Sequence, residues 1–302
     1  MKALLPILLS LATPVWAGED WEQAYAAYGR LIVTQFVSAP FPHPARAEGH
    51  MYKDKLYSAA EHYSDSTVAI LIPKNFREGR SVDFVVHFHG WNNTVAGTLN
   101  TYKLAEQLVA SGKNAVLVVP EGPHNAPDSF GGKLEDAGGF KRFLDEVVAT
   151  LKQRGVFKRK DFAVGRVMLS GHSGGYRVMS AIVDRGGMPS SVKEVWLFDA
   201  LYAETDKFLA WFDREHGRLL DIYTDHGGTK DDSEAMMELL KKRGTTFYAT
   251  GEKNVTEKGL RQNKLVFIHS DLPHDDVVAK RNEFELFLKT SLLADGKKKS
   301  AP

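Results

Sequence analysis

Between positions 67 and 293 the chain alternates short, almost wholly apolar runs with longer segments whose apolar residues recur at helical spacing. This alternation restricts the fold more than any other feature. The runs lie at 68–72, 82–88, 115–119, 167–169, 195–198, 219–223 and 265–268. Helical spacing fills the gaps at 99–110, 140–151, 208–212, 232–242 and 277–293, with Phe140, Phe143, Leu144, Val147, Val148 and Leu151 marking one side of the second. Strands alternating with helices over this length predict an α/β fold, a mostly parallel central sheet with helices on both faces. No repeat or low-complexity linker divides residues 67–293, so they are read as one domain.

The segment before it is less regular. Lys2, the apolar stretch 3–12 and Val15-Trp16-Ala17 have the layout of a secretory signal peptide, with cleavage after Ala17. The stretch is shorter than the roughly 20 apolar residues of a membrane span, so no stable membrane anchor is expected after cleavage. A secreted or periplasmic location follows. Trp21, Tyr25, Tyr28, Leu31, Ile32 and Phe36 predict an amphipathic helix, broken at Ala39-Pro40-Phe41-Pro42-His43-Pro44. Residues 18–66 are therefore expected to be a helix and an extended segment packed on the main domain, and residues 294–302 a flexible tail. With 39 basic against 38 acidic residues, no surplus charge points to a nucleic-acid partner. The absence of cysteine removes disulfide and thiol chemistry.

In a sheet of this kind, sites gather at the carboxyl ends of the strands. Those ends carry His89-Gly90-Trp91, Glu121, Ser173, Asp199, Asp225 and His274. Ser173 lies in Gly171-His172-Ser173-Gly174-Gly175, between an apolar run and a helical segment, which is the setting of a G-x-S-x-G nucleophile elbow. A serine hydroxyl needs a base to take its proton, and the base needs a carboxylate to fix its tautomer. The strand ends supply serine, aspartate and histidine in that order.

On these motifs the chain resembles the α/β-hydrolases, from about position 67 to the last helix. The resemblance implies a serine hydrolase with no cofactor, in which Ser173 is the nucleophile and His274, on the loop after the last strand, the base. His269 and His172 are rivals for the base; a side chain beside the nucleophile in the turn points away from it, which disfavours His172. For the acid, Asp199 is preferred, because an aspartate ending an apolar run is costly to bury without a partner; its place is similar to that in lipases of the pancreatic type. Asp225, after the following strand, is the alternative. By the same resemblance the backbone N–H groups of Gly174 and Trp91 form the oxyanion hole. His87 and His89 share one face of their strand, but no third ligand at a recognisable spacing makes a metal site of them. The long loop after position 119 should border Ser173 and offer His124, Asp128 and Phe130, with Trp91, as substrate contacts.

The implied function is an exported hydrolase that cleaves a small-molecule or polymer carboxylic ester through an acyl-enzyme. A peptidase or amidase using the same triad is the alternative, and a non-catalytic binding protein on the same scaffold the third reading.

Overall fold

Each of the seven apolar runs forms a strand in the computed structural model, which describes residues 18–159 and 161–296. The expected leader at 1–17 and the lysines at 297–299 lie outside the described residues. In chain order the first strands are β1 (Gly29–Gln35), β2 (His50–Tyr52), β3 (Lys55–Tyr57), β4 (Thr67–Pro73), β5 (Ser81–Phe88) and β6 (Ala115–Pro120). They are followed by β7 (Ala163–His172), β8 (Val192–Phe198), β9 (Arg218–Thr224), β10 (Tyr248–Gly251) and β11 (Leu265–Ser270). Nine of them form one sheet in the order β1-β4-β6-β5-β7-β8-β9-β11-β10, and β2 pairs with β3 as a separate hairpin. From β6 to β10 every pairing is parallel; β4 runs antiparallel to both of its neighbours.

The strands are apolar on both faces because both are covered. Val86, Leu169, Val195 and Leu197 pack beneath Phe143, Val147, Met179, Ile182 and Trp211. Their sequence neighbours Val85, Met168, Trp196 and Phe198 point the opposite way, against Leu99, Leu108, Phe284 and Phe287. This is the two-residue alternation of a pleated strand. The helix Gly139–Gln153 shows the matching periodicity, burying Phe140, Phe143, Leu144, Val147 and Leu151. Each such side chain contributes about 1.5–3 kcal/mol by leaving water. No helix among the described residues is long and apolar enough to cross a membrane.

Three expectations are corrected, and one strand is added. The amphipathic helix expected after position 18 ends at Ala24, and Gly29–Gln35 is instead the edge strand of the main sheet. There Leu31 and Ile32 enter opposite cores, as only a strand permits, so residues 18–66 supply part of the sheet as well as packing on it. The helix expected at 99–110 is two, Val95–Thr101 and Leu104–Ser111, separated by Lys103 in the left-handed region (φ 48°). The last helix is shorter than expected, Glu283–Thr290, and begins after Asn282 at φ 59°. Strand β10 carries little apolar signal, and the sheet edge alone defines it.

Strand order also determines where a site can form. The chain lays β6 on one side of β5 and then crosses to place β7 on the other. At such a switch point the connections leave in opposite directions and open a crevice at the carboxyl ends. Those ends are Phe88, which leads to His89-Gly90-Trp91, and His172, which leads to Ser173.

Candidate active site

Strand β7 runs directly into a single turn of 3-10 helix, Ser173–Gly175, and then into the helix Tyr176–Arg185. Ser173 has φ 53°, in the left-handed region. For a residue with a side chain this costs on the order of 1–3 kcal/mol, strain that persists only where the surroundings impose it. The facing strand end leaves no alternative: a Cβ on Gly90 would lie 2.6 Å from Ser173 Cβ and 3.1 Å from its Oγ. Glycine at 90 is what lets the two strand ends approach.

Asp199 follows β8 and is fully buried, with φ 46° and its N–H donated to Ile222 O at 2.6 Å. Its carboxylate accepts from Thr224 N–H at 3.1 Å, from Thr224 Oγ1 at 2.7 Å and from the Thr229 hydroxyl. His274 Nδ1 lies 2.6 Å from Asp199 Oδ2. Burial alone would raise the Asp199 carboxyl, but the hydrogen bonds from His274, Thr229 and Thr224 outweigh it and hold the group below its ordinary range. An ionised carboxylate is acceptor-only, so Nδ1 carries the proton and Nε2 the lone pair. Gly227 leaves room for this arrangement, since a Cβ there would sit 1.7 Å from Asp199 Oδ2.

The alternative acid does not reach His274. Asp225 stands at the surface, where it accepts from His269 Nε2 at 3.0 Å and from Lys230 Nζ at 2.7 Å. The same pair accounts for His269, whose ring stacks on Tyr223. Directly after the last residue of β9, the Asp225 side chain finds solvent, His269 and a lysine instead of His274.

His172 takes the inward position expected beside an elbow serine. Its Nε2–H donates to His274 O at 3.0 Å, and Tyr102 O–H donates to its Nδ1 at 2.8 Å. Both nitrogens are thereby used by the neutral ring, which burial and the adjacent His274 push down to about 4. The His172 and His274 rings lie 4.5 Å apart. This contact couples the histidine loop to the elbow. His87 pairs with Ser170 Oγ at 2.9 Å, but both are wholly buried within the sheet and out of reach of any substrate.

The loop after β6 is pinned by its own side chains. Asp128 and Phe130 are 6% and 7% exposed. Asp128 accepts from Arg46 Nε at 2.7 Å and from Phe130 N–H at 3.0 Å, while the Arg46 guanidinium lies over the Phe130 ring. His124 turns Nδ1 toward Glu121 (3.6 Å) and Asp65 (3.7 Å). Burial would raise the Glu121 carboxyl, yet the facing His124 and His89 rings and the Val95 N–H take it down to about 2. These three residues anchor the loop to residues 43–65, and Asp128 and Phe130 also border a small cavity with Ser129 and Gly174. Trp91 is more open: it is 42% exposed, has Tyr52 edge-on at 5.3 Å, and donates its indole N–H to Ser129 Oγ at 2.7 Å.

Among the described residues, two groups of side chains place three ligand atoms within 4.8 Å of one another: Asp65, Glu121 and His124, and His172, His274 and Asp275. In the first, Asp65 accepts from Thr67 N–H and Glu121 from Val95 N–H, so the carboxylates are already engaged. In the second, only His274 Nε2 is left among the histidine nitrogens.

Motif reading does not find Thr224, Thr229, Tyr102, Ser129 or Tyr202. The Tyr202 hydroxyl donates to Gly227 O at 2.6 Å and also meets Ser173, with the ring 6.4 Å from His274. None has a distinctive spacing from Ser173; only the converging strand ends bring them together.

Comparison with solved structures defines the class of fold. The fluorophosphonate-binding serine hydrolase F of Staphylococcus aureus superposes with a TM-score of 0.51 at 11% identity, over 87% of this chain and 99% of the other. A ferulic acid esterase gives 0.55 at 10% identity, over 87% and 98%. The feruloyl esterase module of Clostridium thermocellum, in complex with sinapinate, gives 0.51 at 9% identity, over 90% and 92%. The fold is that of the α/β-hydrolases. No family model matches the sequence, and no curated protein matches it.

Proposed function

We propose that the chain is an exported serine hydrolase that opens a carboxylic ester through an acyl-enzyme intermediate. The observation that carries this reading is the 2.6 Å bond from His274 to the buried, ionised Asp199, made on a loop that His172 ties to the strained Ser173 elbow. That bond fixes the tautomer whose free lone pair is on Nε2, the form a general base requires.

In this reading Ser173 Oγ adds to the ester carbonyl carbon while its proton passes to His274 Nε2. The carbonyl π pair moves onto oxygen, where the Gly174 and Trp91 backbone N–H groups donate to it. Collapse of the adduct breaks the bond to the alcohol oxygen, which leaves with the proton from His274. Water then repeats the sequence: its proton goes to His274, its oxygen bonds to the acyl carbon, and Ser173 departs with the proton. The products are acid, alcohol and the original enzyme. Asp199 stays ionised and stabilises the imidazolium formed in each half. General-base catalysis of this type contributes about 10²–10⁴-fold and each oxyanion donor about 10²–10³-fold.

The leader-like segment at 1–17 supports a secreted or periplasmic location, and the open rim at Trp91 and Tyr52 supports an ester partner that need not be small. A fluorophosphonate probe followed by peptide mass analysis tests the reading. The wild-type chain should carry one adduct on Ser173, and Ser173→Ala should neither label nor hydrolyse p-nitrophenyl acetate. A folded wild-type chain without the adduct, or an active Ser173→Ala, refutes it.

A further inference from the structure

We propose that the Ser129 hydroxyl is a third hydrogen-bond donor to the oxyanion, held ready by the Trp91 indole; the inference rests on the ester-cleaving function proposed above. Ser129 belongs to the loop after β6, between two anchored neighbours: Asp128 is bound by Arg46, and Phe130 donates its N–H to Asp128. Ser129 itself is half-buried, at the crevice. Trp91 Nε1–H donates to Ser129 Oγ at 2.7 Å, which fills one acceptor position of the hydroxyl. The serine's own proton then points away from the indole, and no described residue accepts it.

Its location gives that proton a use. A Cβ on Gly174 would lie 2.6 Å from Ser129 Oγ and 2.9 Å from Trp91 Cδ1, so the hydroxyl abuts the residue that follows the nucleophile. Gly90 likewise carries no side chain, and a Cβ there would be 3.1 Å from Ser173 Oγ. Ser129 and Gly174 line one small cavity, and Gly174 directly follows Ser173; a carbonyl oxygen that gains negative charge there would receive both the Gly174 N–H and the Ser129 O–H. A hydroxyl donor in a sheltered site strengthens most when its acceptor becomes charged, so it acts on the transition state more than on the bound ester. The indole N–H polarises the hydroxyl in the same sense, which makes Trp91 a positioning residue as well as a backbone donor.

Four chains test this: the wild type, Ser129→Ala, Ser129→Thr and Trp91→Phe. Each is assayed by p-nitrophenyl acetate hydrolysis, by the affinity of phenylboronic acid, whose tetrahedral adduct imitates the transition state, and by fluorophosphonate labelling. Ser129→Ala should lower kcat about 10²-fold, the loss typical of one oxyanion donor, leave KM nearly unchanged and weaken boronate binding by a similar factor. Ser129→Thr, which keeps the hydroxyl, should recover most of the loss. Trp91→Phe, which keeps the backbone N–H, should fall between. A Ser129→Ala chain with wild-type kcat, or one that loses only in KM, overturns the proposal, as does a Ser129→Thr no better than the alanine. Labelling of wild-type Ser173 is read separately, so failure of the underlying ester reading is distinguishable from failure of the Ser129 assignment.

Discussion

Replacing Asp199 by asparagine keeps the volume of a fully buried side chain and removes its charge. The carboxylate now accepts from Thr224 N–H, from two threonine hydroxyls and from His274 Nδ1. Asparagine has one carbonyl oxygen for the donors on the threonine side and must turn its NH₂ toward the imidazole. His274 then accepts at Nδ1 and carries its proton on Nε2, the tautomer unable to take a proton from Ser173. A wrong tautomer in an intact triad costs about 10⁴-fold in kcat, so Asp199→Asn should lose about 10³–10⁴-fold with KM little changed. Asp225→Asn is the matched control; it breaks the surface contacts to His269 and Lys230 and should retain activity within about twofold, since exposed ion pairs contribute little. Steady-state hydrolysis of p-nitrophenyl acetate, with urea unfolding to show that both chains are folded, measures the difference. An Asp199→Asn chain with more than a tenth of wild-type kcat, or an Asp225→Asn chain with the larger loss, refutes the assignment of the acid.

Two further predictions concern buried polar groups. Burial, and secondarily the charge of Asp199, push the Asp221 carboxyl up to about 7, whereas in the unfolded chain it ionises near 4. Between those values the folded state holds the extra proton, so this group's contribution to stability declines from pH 4 to 7 and its full cost is present above. Asp221→Asn, which can still accept from Ser233, should therefore match the wild-type melting temperature at pH 4 and exceed it at pH 8; parallel curves would discount the idea. Tyr102→Phe removes the donor to His172 Nδ1 and leaves a buried acceptor unsatisfied, which should cost about 1–3 kcal/mol in urea unfolding; a change under about 0.5 kcal/mol argues against the bond.

The elements that local pattern specifies are those that were readable. The runs that became β4 to β9 and β11 are apolar because both faces of the sheet are covered, and the Phe140 to Leu151 periodicity belongs to one helix. Strand β1 misled because Leu31, Ile32 and Val33 follow Tyr25 and Tyr28 at a spacing that also satisfies a helix; pairing with β4 decides between the two. Among site residues, Ser173 announces itself by its glycine neighbours and Asp199 by ending an apolar strand. His124, Asp128 and Phe130 had the right chemistry and the right loop. Their partners, Arg46, Asp65 and Glu121, lie far off in the sequence or on the preceding strand end, so the anchoring of this loop could not be read from it.

The sequence by itself determined the class of sheet, the strained serine turn and the order in which serine, aspartate and histidine follow strand ends, because each is written in neighbouring residues and their periodicity. Only the tertiary structure decided which aspartate meets His274, what fixes that aspartate, and which side chains border Ser173. Those contacts join residues 75 positions apart in the pairing of His274 with Asp199, and 102 apart where His172 supports the histidine loop. They exist because the order in which strands are added to the sheet reverses between β6 and β7, and the parallel strands bring distant carboxyl ends to one edge. A hydrogen bond is decided by a few tenths of an ångström, and no spacing along the chain encodes that.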